Sequence, residues 1–310
     1  MKWLKKILSL IITLFVVSLV TFFAFRVIPG DSAIAKLGLE ASDEQIEALR
    51  DQMGLNDNLL VQYGRFLSGA VQGDFGDSTQ YNVSVSSLIA DRLPVTIWLA
   101  AISFLFIVTI SLPLGILASK KEDSILDRFI TLLTQLFMAI PSFFLGILIT
   151  LVFGIILKWF APGGYVKPSV NFGSFLSYMI YPALAISIPK IAMMVKFLKT
   201  SVIREHKMDY VRTAKSKGQT NNVILYRHVL KNALMPIITF LGMITAESLA
   251  GSIVVEQVFN LPGMGRLLVT AIFNRDYPVV QAAVLYISAI VVLINFGVDM
   301  LYRKVDPRVT

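Results

Sequence analysis

Hydrophobic positions fall in a few long uncharged runs separated by short polar segments. The runs Ile7–Phe25, Leu93–Ser119, Phe129–Leu157, Pro168–Pro189 and Tyr277–Val298 are each long enough to cross a bilayer core of about 30 Å. A sixth run, Asn232–Val255, is interrupted only by Glu247. This pattern predicts an all-α membrane protein with six transmembrane helices and both termini on one side. Three parts follow along the chain: residues 1–28 (the N-terminus and first span), residues 29–92 (an extracytoplasmic segment) and residues 93–310 (a five-helix core). The core contains a polar loop, residues 196–231, between spans four and five.

The segment between spans one and two has a pattern of its own. The run Arg26-Val27-Ile28-Pro29-Gly30-Asp31 ends the first span with turn-forming residues. Ser42 followed by Asp43, Glu44 and Gln45 reads as a helix start, and Ile46, Leu49 and Met53 recur at helical spacing. Gly54 closes that helix. A second piece runs from about Leu59 to Ala70 and ends in Gly73-Asp74-Phe75-Gly76-Asp77. The expected result is a small external cap of helices and turns. Pro113, Pro141, Pro182 and Pro189 lie inside spans, where each either marks a hinge or is a packing irregularity accommodated by neighbouring helices.

The polar loop is organised too. Asp209 is a suitable N-cap, Tyr210 to Lys217 makes two helical turns, and Gly218 supplies a left-handed C′ residue. Thr220 or Asn221 then caps a second helix, with Val223, Ile224, Val229 and Leu230 as its apolar side, and Pro236 lies near the start of span five. Tight caps around a short helix suit a docking element better than a plain connector.

Charge sets the orientation. Only 15% of residues are charged, against roughly 25% in soluble domains. With the N-terminus inside, eighteen of the 28 Lys and Arg lie on the cytoplasmic side and nine outside, which supports an N-in, C-in arrangement. The same sidedness accounts for the net charge of +8 and leaves no case for nucleic-acid binding. The first apolar run is 19 residues, longer than a signal-peptide core, and reads as an uncleaved span. With no cysteine, thiolate metal sites and cysteine nucleophiles are excluded. The two histidines, His206 and His228, stand 22 apart without clustered carboxylates, which is not a metal-site pattern. No Ser/His/Asp set or HExxH motif points to an embedded enzyme, and no repeated filter-like loop points to a self-contained channel.

Several motifs in order resemble the dipeptide, oligopeptide and nickel branch of ABC importer permeases. Ala214-x-x-x-Gly218 resembles the core of their EAA-type loop, with Arg212-Thr213 in place of Glu-Ala and Pro236 standing 18 residues after Gly218, as in that branch. Further segments agree: Met53-Gly54-Leu55 leading to Gln62-Tyr63, Gly73-Asp74-Phe75-Gly76, Arg92-Leu93-Pro94-Val95-Thr96 and Ile140-Pro141-Ser142-Phe143-Phe144-Leu145-Gly146. Beyond these come Val255-Glu256-Gln257-Val258-Phe259, Pro262-Gly263-Met264-Gly265-Arg266, Arg275-Asp276-Tyr277-Pro278 and Asp306-Pro307-Arg308. One departure stands out: Lys196 and Lys199 replace the branch's Arg-x-x-Arg, keeping charge but not bidentate geometry, so an ion-pair role there is not carried over.

The resemblance implies a non-catalytic permease subunit in the inner membrane. Its implied partners are a second homologous permease, two ABC ATPase subunits and an extracytoplasmic substrate-binding protein. The chain has no G-x-x-x-x-G-K-[ST] loop, so no cofactor is expected on it, and ATP and Mg belong to the partner ATPases. Asp209, Tyr210, Ala214, Lys217 and Gly218 are the candidate ATPase-coupling residues. Lys199, Arg204, Lys207, Arg212, Lys215 and Lys217 are candidates for pairing with an acidic ATPase rim, although membrane sidedness alone explains most of them. Pro262, Gly263, Gly265 and Arg266 are candidates for binding-protein docking. Glu247, an ionisable group inside a span, should face the bundle interior. It lines a translocation path, pairs with a basic residue of the partner permease, or is protonated and hydrogen-bonded. Lys190 and Asp299 lie nearer the cytoplasmic ends and read as snorkelling or interfacial. Peptides are the first substrate reading and a nickel or metal chelate the second.

Overall fold

A computed structural model describes residues 2–27, 34, 37, 41–52 and 54–305, and these are helical almost throughout. In chain order the helices are α1 (Lys2–Val27), α2 (Asp43–Gln52), α3 (Leu59–Gln72), α4 (Val85–Lys120), α5 (Ile125–Ala139) and α6 (Ser142–Ile156). Next come α7 (Phe172–His206), α8 (Asp209–Ser216), α9 (Asn221–Val258), α10 (Met264–Phe273) and α11 (Tyr277–Val305). α1, α4, α7, α9 and α11 are each long and apolar enough to cross a membrane, and α5 with α6 makes a sixth span if the bent pair is counted as one. The chain is a multi-pass membrane protein. It divides into two compact units, Met1–Thr96 with Pro262–Leu293 and Ile97–Leu261 with Ile294–Thr310.

In the first unit the sequence signals operate locally. Gln45 N–H donates to Ser42 Oγ at 3.3 Å and Ser42 N–H to Gln45 Oε1 at 3.2 Å, a reciprocal capping box at the start of α2. Gly54 takes φ +64° and Gly73 φ +76°, the left-handed values that let glycine end α2 and α3. The two helices expected in the segment between spans one and two are present as α2 and α3. α3 packs along the first span: Tyr63 and Phe66 lie against Phe22, and Tyr63 also against Phe15 and Phe23. The Tyr63 hydroxyl shares a 2.9 Å hydrogen bond with Ser18. Asp276, just before α11, is fully buried. Its carboxylate accepts from Ser78 Oγ at 2.5 Å and from the Thr79 and Gln80 N–H groups at 3.2 and 3.3 Å. The predicted stop at Ile28–Asp31, Met53 and the Asp306-Pro307-Arg308 motif lie outside the described residues, as does the Asp299 side chain.

In the second unit α7 and α9 form an antiparallel hairpin with a regular series of cross-links. Tyr178 donates to the Phe259 carbonyl at 2.7 Å, Lys190 pairs with Glu247, Phe197 stacks on Phe240 at 4.2 Å, and Ser201 donates to the Ala233 carbonyl at 3.2 Å. Pro113, Pro182, Pro189 and Pro236 lie inside uninterrupted helices. Pro141 does not: α5 and α6 meet there at 98°, so the run read as one span over Phe129–Leu157 is sharply bent near its middle. Ile140 is extended (φ −91°, ψ 121°), as the residue before a proline prefers, and Pro141 itself caps α6.

Candidate functional site

The polar loop between the fourth and fifth apolar runs is mostly helix. α7 continues eleven residues into it, from Lys196 to His206. α9 starts at Asn221 and runs unbroken into the next span. Between them sits α8. Its N-cap is Met208, and Asp209 is the first helical residue with no side-chain capping bond, which corrects the N-cap assigned to Asp209. At that position its carboxylate still faces the positive end of the helix. The C-terminus is as expected. Gly218 takes φ +76°, its N–H donates to the Lys215 carbonyl at 2.9 Å, and Gln219 N–H donates to Ala214 at 3.3 Å, completing a Schellman motif.

α8 has two faces. Val211 and Ala214 are buried in a cluster that includes Leu198 and Val202 of α7 and Ile224, Leu225 and Val229 of α9. Asp209, Arg212, Thr213, Lys215, Ser216, Lys217 and Gly218 are exposed. The Tyr210 hydroxyl donates to Glu205 at 2.9 Å, and burial raises its pKa. His228 Nε2 bonds Gln219 Oε1 at 2.9 Å, tying the residue after the glycine turn to α9. The first turns of α9 are wide: Leu230 N–H donates to Leu225, an i→i−5 bond. This inserts a π-helical stretch that brings Ile224, Leu225 and Val229 onto the cluster, while Val223 is exposed and leaves the apolar side assigned to it.

Lys199 also corrects an expectation. It pairs with Asp127 at 2.6 Å, so an internal ion pair does form at this position and Lys199 is not open to a partner's rim. Asp127 is buried. Its N–H donates to Ser124 Oγ at 3.2 Å and its carboxylate accepts from Asp123 N–H at 3.1 Å, so one side chain closes the N-terminus of α5 and holds α7. Ser124 and Asp127 carry a capping pattern readable in the sequence, but their link to Lys199 is not.

Glu247 lies mid-helix in α9 and pairs with Lys190 of α7. Its basic partner is therefore in its own chain, and Lys190, expected to snorkel or sit at the interface, is engaged in that pair. The side chains are 45% and 19% exposed respectively, so the Glu247 carboxylate keeps an open side. Pro262–Arg266 is not an open loop. Gly263 caps α10, Met264–Arg266 form its first turn, and Gly263 and Gly265 are buried. Met264 N–H donates to Thr96 Oγ1 at 2.8 Å. Only Pro262 and Arg266 reach the surface, each half-buried.

Residues 111–310 match the family described as binding-protein-dependent transport system inner membrane component, and residues 2–100 match the N-terminal region of such membrane components. The chain is 37% identical over 306 residues to a putative peptide transport system permease protein of Brucella abortus (strain 2308), covering 99% of this chain and 98% of that protein. It is 36% identical over 296 residues to the oligopeptide transport system permease protein AppB of Bacillus subtilis (strain 168), 94% of each. It is also 38% identical over 306 residues to the glutathione transport system permease protein GsiC of Escherichia coli (strain K12), 99% and 97%.

Proposed function

This chain belongs to the dipeptide/oligopeptide family of ABC importer permeases, and from that premise we propose that it forms a translocation path for di- or oligopeptides with a second, homologous permease. It sits in the inner membrane with both termini in the cytoplasm. Two ABC ATPase subunits, carrying ATP and Mg, dock on α8, and an extracytoplasmic binding protein delivers the peptide. The relatives' names, which include peptide, oligopeptide and glutathione transport, support this substrate class.

The observation that carries the coupling role is the two-faced build of α8. Its apolar face is locked to α7 and α9 through Val211 and Ala214, while its polar face is exposed. A push on the exposed face therefore moves the α7–α9 hairpin as a body, because close-packed interiors transmit displacement and do not absorb it. That hairpin holds the Lys190–Glu247 pair, whose open carboxylate side lines the path.

The chain has no cysteine, so a single cysteine in place of Arg212 is its only thiol. In the assembled transporter this cysteine is expected to cross-link to an ATPase subunit. Gly218→Val places a β-branched residue at a left-handed position, which costs roughly 1–2 kcal/mol. It is expected to leave membrane insertion intact while lowering peptide-stimulated ATP hydrolysis and uptake. Normal uptake in Gly218→Val with no ATPase cross-link at position 212 would sink the coupling role. In the same assay, unchanged uptake of every peptide by Glu247→Gln would remove the pathway role of that residue.

A further inference from the structure

Helix α3 falls in the segment that the charge pattern reads as external, yet its neighbours belong to the membrane. Tyr63 bonds Ser18. Ser18 lies six residues before Ala24, the end of the apolar window of α1, or about 9 Å along the helix at 1.5 Å per residue. Phe15, which also meets Tyr63, lies nine residues before Ala24, about 14 Å. On the other side Phe75, just beyond α3, meets Tyr286 of α11. Tyr286 is nine residues from the helix start at Tyr277, again about 14 Å along it. Half of a bilayer core is about 15 Å, so the contacts of α3 with α1, and of the turn that follows it with α11, fall within the hydrocarbon depth of one leaflet.

α3 is also amphipathic in the way this placement requires. Its polar side is satisfied close to home: Gln62 donates to the Leu55 and Asp57 carbonyls at 3.0 and 2.7 Å, and Arg65 pairs with Asp57 at 2.7 Å. The apolar side is only partly covered. Leu60 is 74% exposed and Val71 83%. Val71 borders a groove of about 480 Å³, lined also by Ile11 and Phe15 of α1, Leu67 of α3, and Leu285 and Tyr286 of α11. The groove is continuous with the exposed apolar face of α1, where Ile7, Leu8, Ile11, Ile12, Phe15 and Val16 stand open, a face that only lipid or another membrane helix can cover.

We propose that α3 is immersed in the outer leaflet and that the groove between α1, α3 and α11 takes the acyl chain of a phospholipid. The leaflet assignment rests on the orientation proposed above. The chemistry does not, because apolar walls at that depth select hydrocarbon on either side. With its tip in lipid, α3 is itself held at a fixed height relative to the membrane.

The absence of cysteine makes the test direct. Val71→Cys and, separately, Leu60→Cys are labelled with bimane in the complete transporter, which is then reconstituted in vesicles of phosphatidylcholine and phosphatidylglycerol. Both positions are exposed, so neither substitution disturbs packing. Glu44→Cys, on the exposed surface of α2, serves as the aqueous control. Phosphatidylcholine brominated on its acyl chains is expected to quench bimane at 71 and 60 but not at 44. A charged thiol reagent is expected to modify unlabelled Glu44→Cys and spare the other two. Rapid modification without quenching at 71 and 60 would put α3 in water and overturn the proposal. Neither modification nor quenching would mean that protein covers the groove, which overturns it equally. Inverted sidedness would sink the orientation while leaving the quenching pattern intact, so the two readings fail separately.

Discussion

Asp127 closes the N-terminus of α5 and neutralises Lys199 from a site where its side chain is 6% exposed. A buried charge is tolerated when paired, and losing one partner costs more than the pair contributes. Lys199→Met is therefore expected to destabilise the solubilised protein by on the order of 3 kcal/mol, read as a drop in the midpoint of thermal unfolding. Adding Asp127→Asn should restore much of that loss. Asn keeps an acceptor for the Asp123 N–H and removes the stranded charge. A double variant no more stable than the single one would show that the pair is not what holds the site. The capping half of this arrangement is legible from Ser124 and Asp127 alone. The charge half joins residues 72 positions apart and is not.

At the scale of elements, the bend between α5 and α6 has two candidate causes, the proline and the packing. Removing Pro141 would return one or two helical hydrogen bonds, each with a net value of about 1 kcal/mol. Straightening would withdraw Leu145 and Ile149 from their buried positions, and close packing, not transfer from water, is what holds helices together in lipid. It would also withdraw Gly146 from Phe259, where a Cβ would sit only 3.2 Å from the ring. Packing wins this comparison. Spin labels at Ile125 and Ile156 are therefore expected to give the same distance in Pro141→Ala as in the parent. Gly146→Leu, which collides with Phe259, is expected to shift it. A Pro141→Ala distance near the roughly 47 Å of a straight helix would make the proline the cause. The sequence offers four span prolines, Pro113, Pro141, Pro182 and Pro189, with equal claims. Only Pro141 meets a break, and the difference lies in what packs around it.

For the whole molecule, orientation is the property that charge alone assigns. A charged, membrane-impermeant thiol reagent is expected to reach Ser216→Cys only in inside-out vesicles and Glu44→Cys only in right-side-out ones. Both cysteines reacting from one side would overturn the N-in, C-in arrangement. The number and length of apolar runs, the capping box at Ser42 and the glycine ends at Gly54, Gly73 and Gly218 could be read directly from the chain. Each depends on a bilayer of known thickness or on backbone geometry within four or five residues, and both are local properties. Tertiary structure alone decided that Lys199 holds Asp127 and Lys190 holds Glu247, that Gly263 and Gly265 are buried, and that α3 lies against the first span. Those outcomes are set by which helix faces meet. That is a long-range matter of shape and burial, and hydrophobic periodicity, which marks a face as apolar, does not say what will cover it.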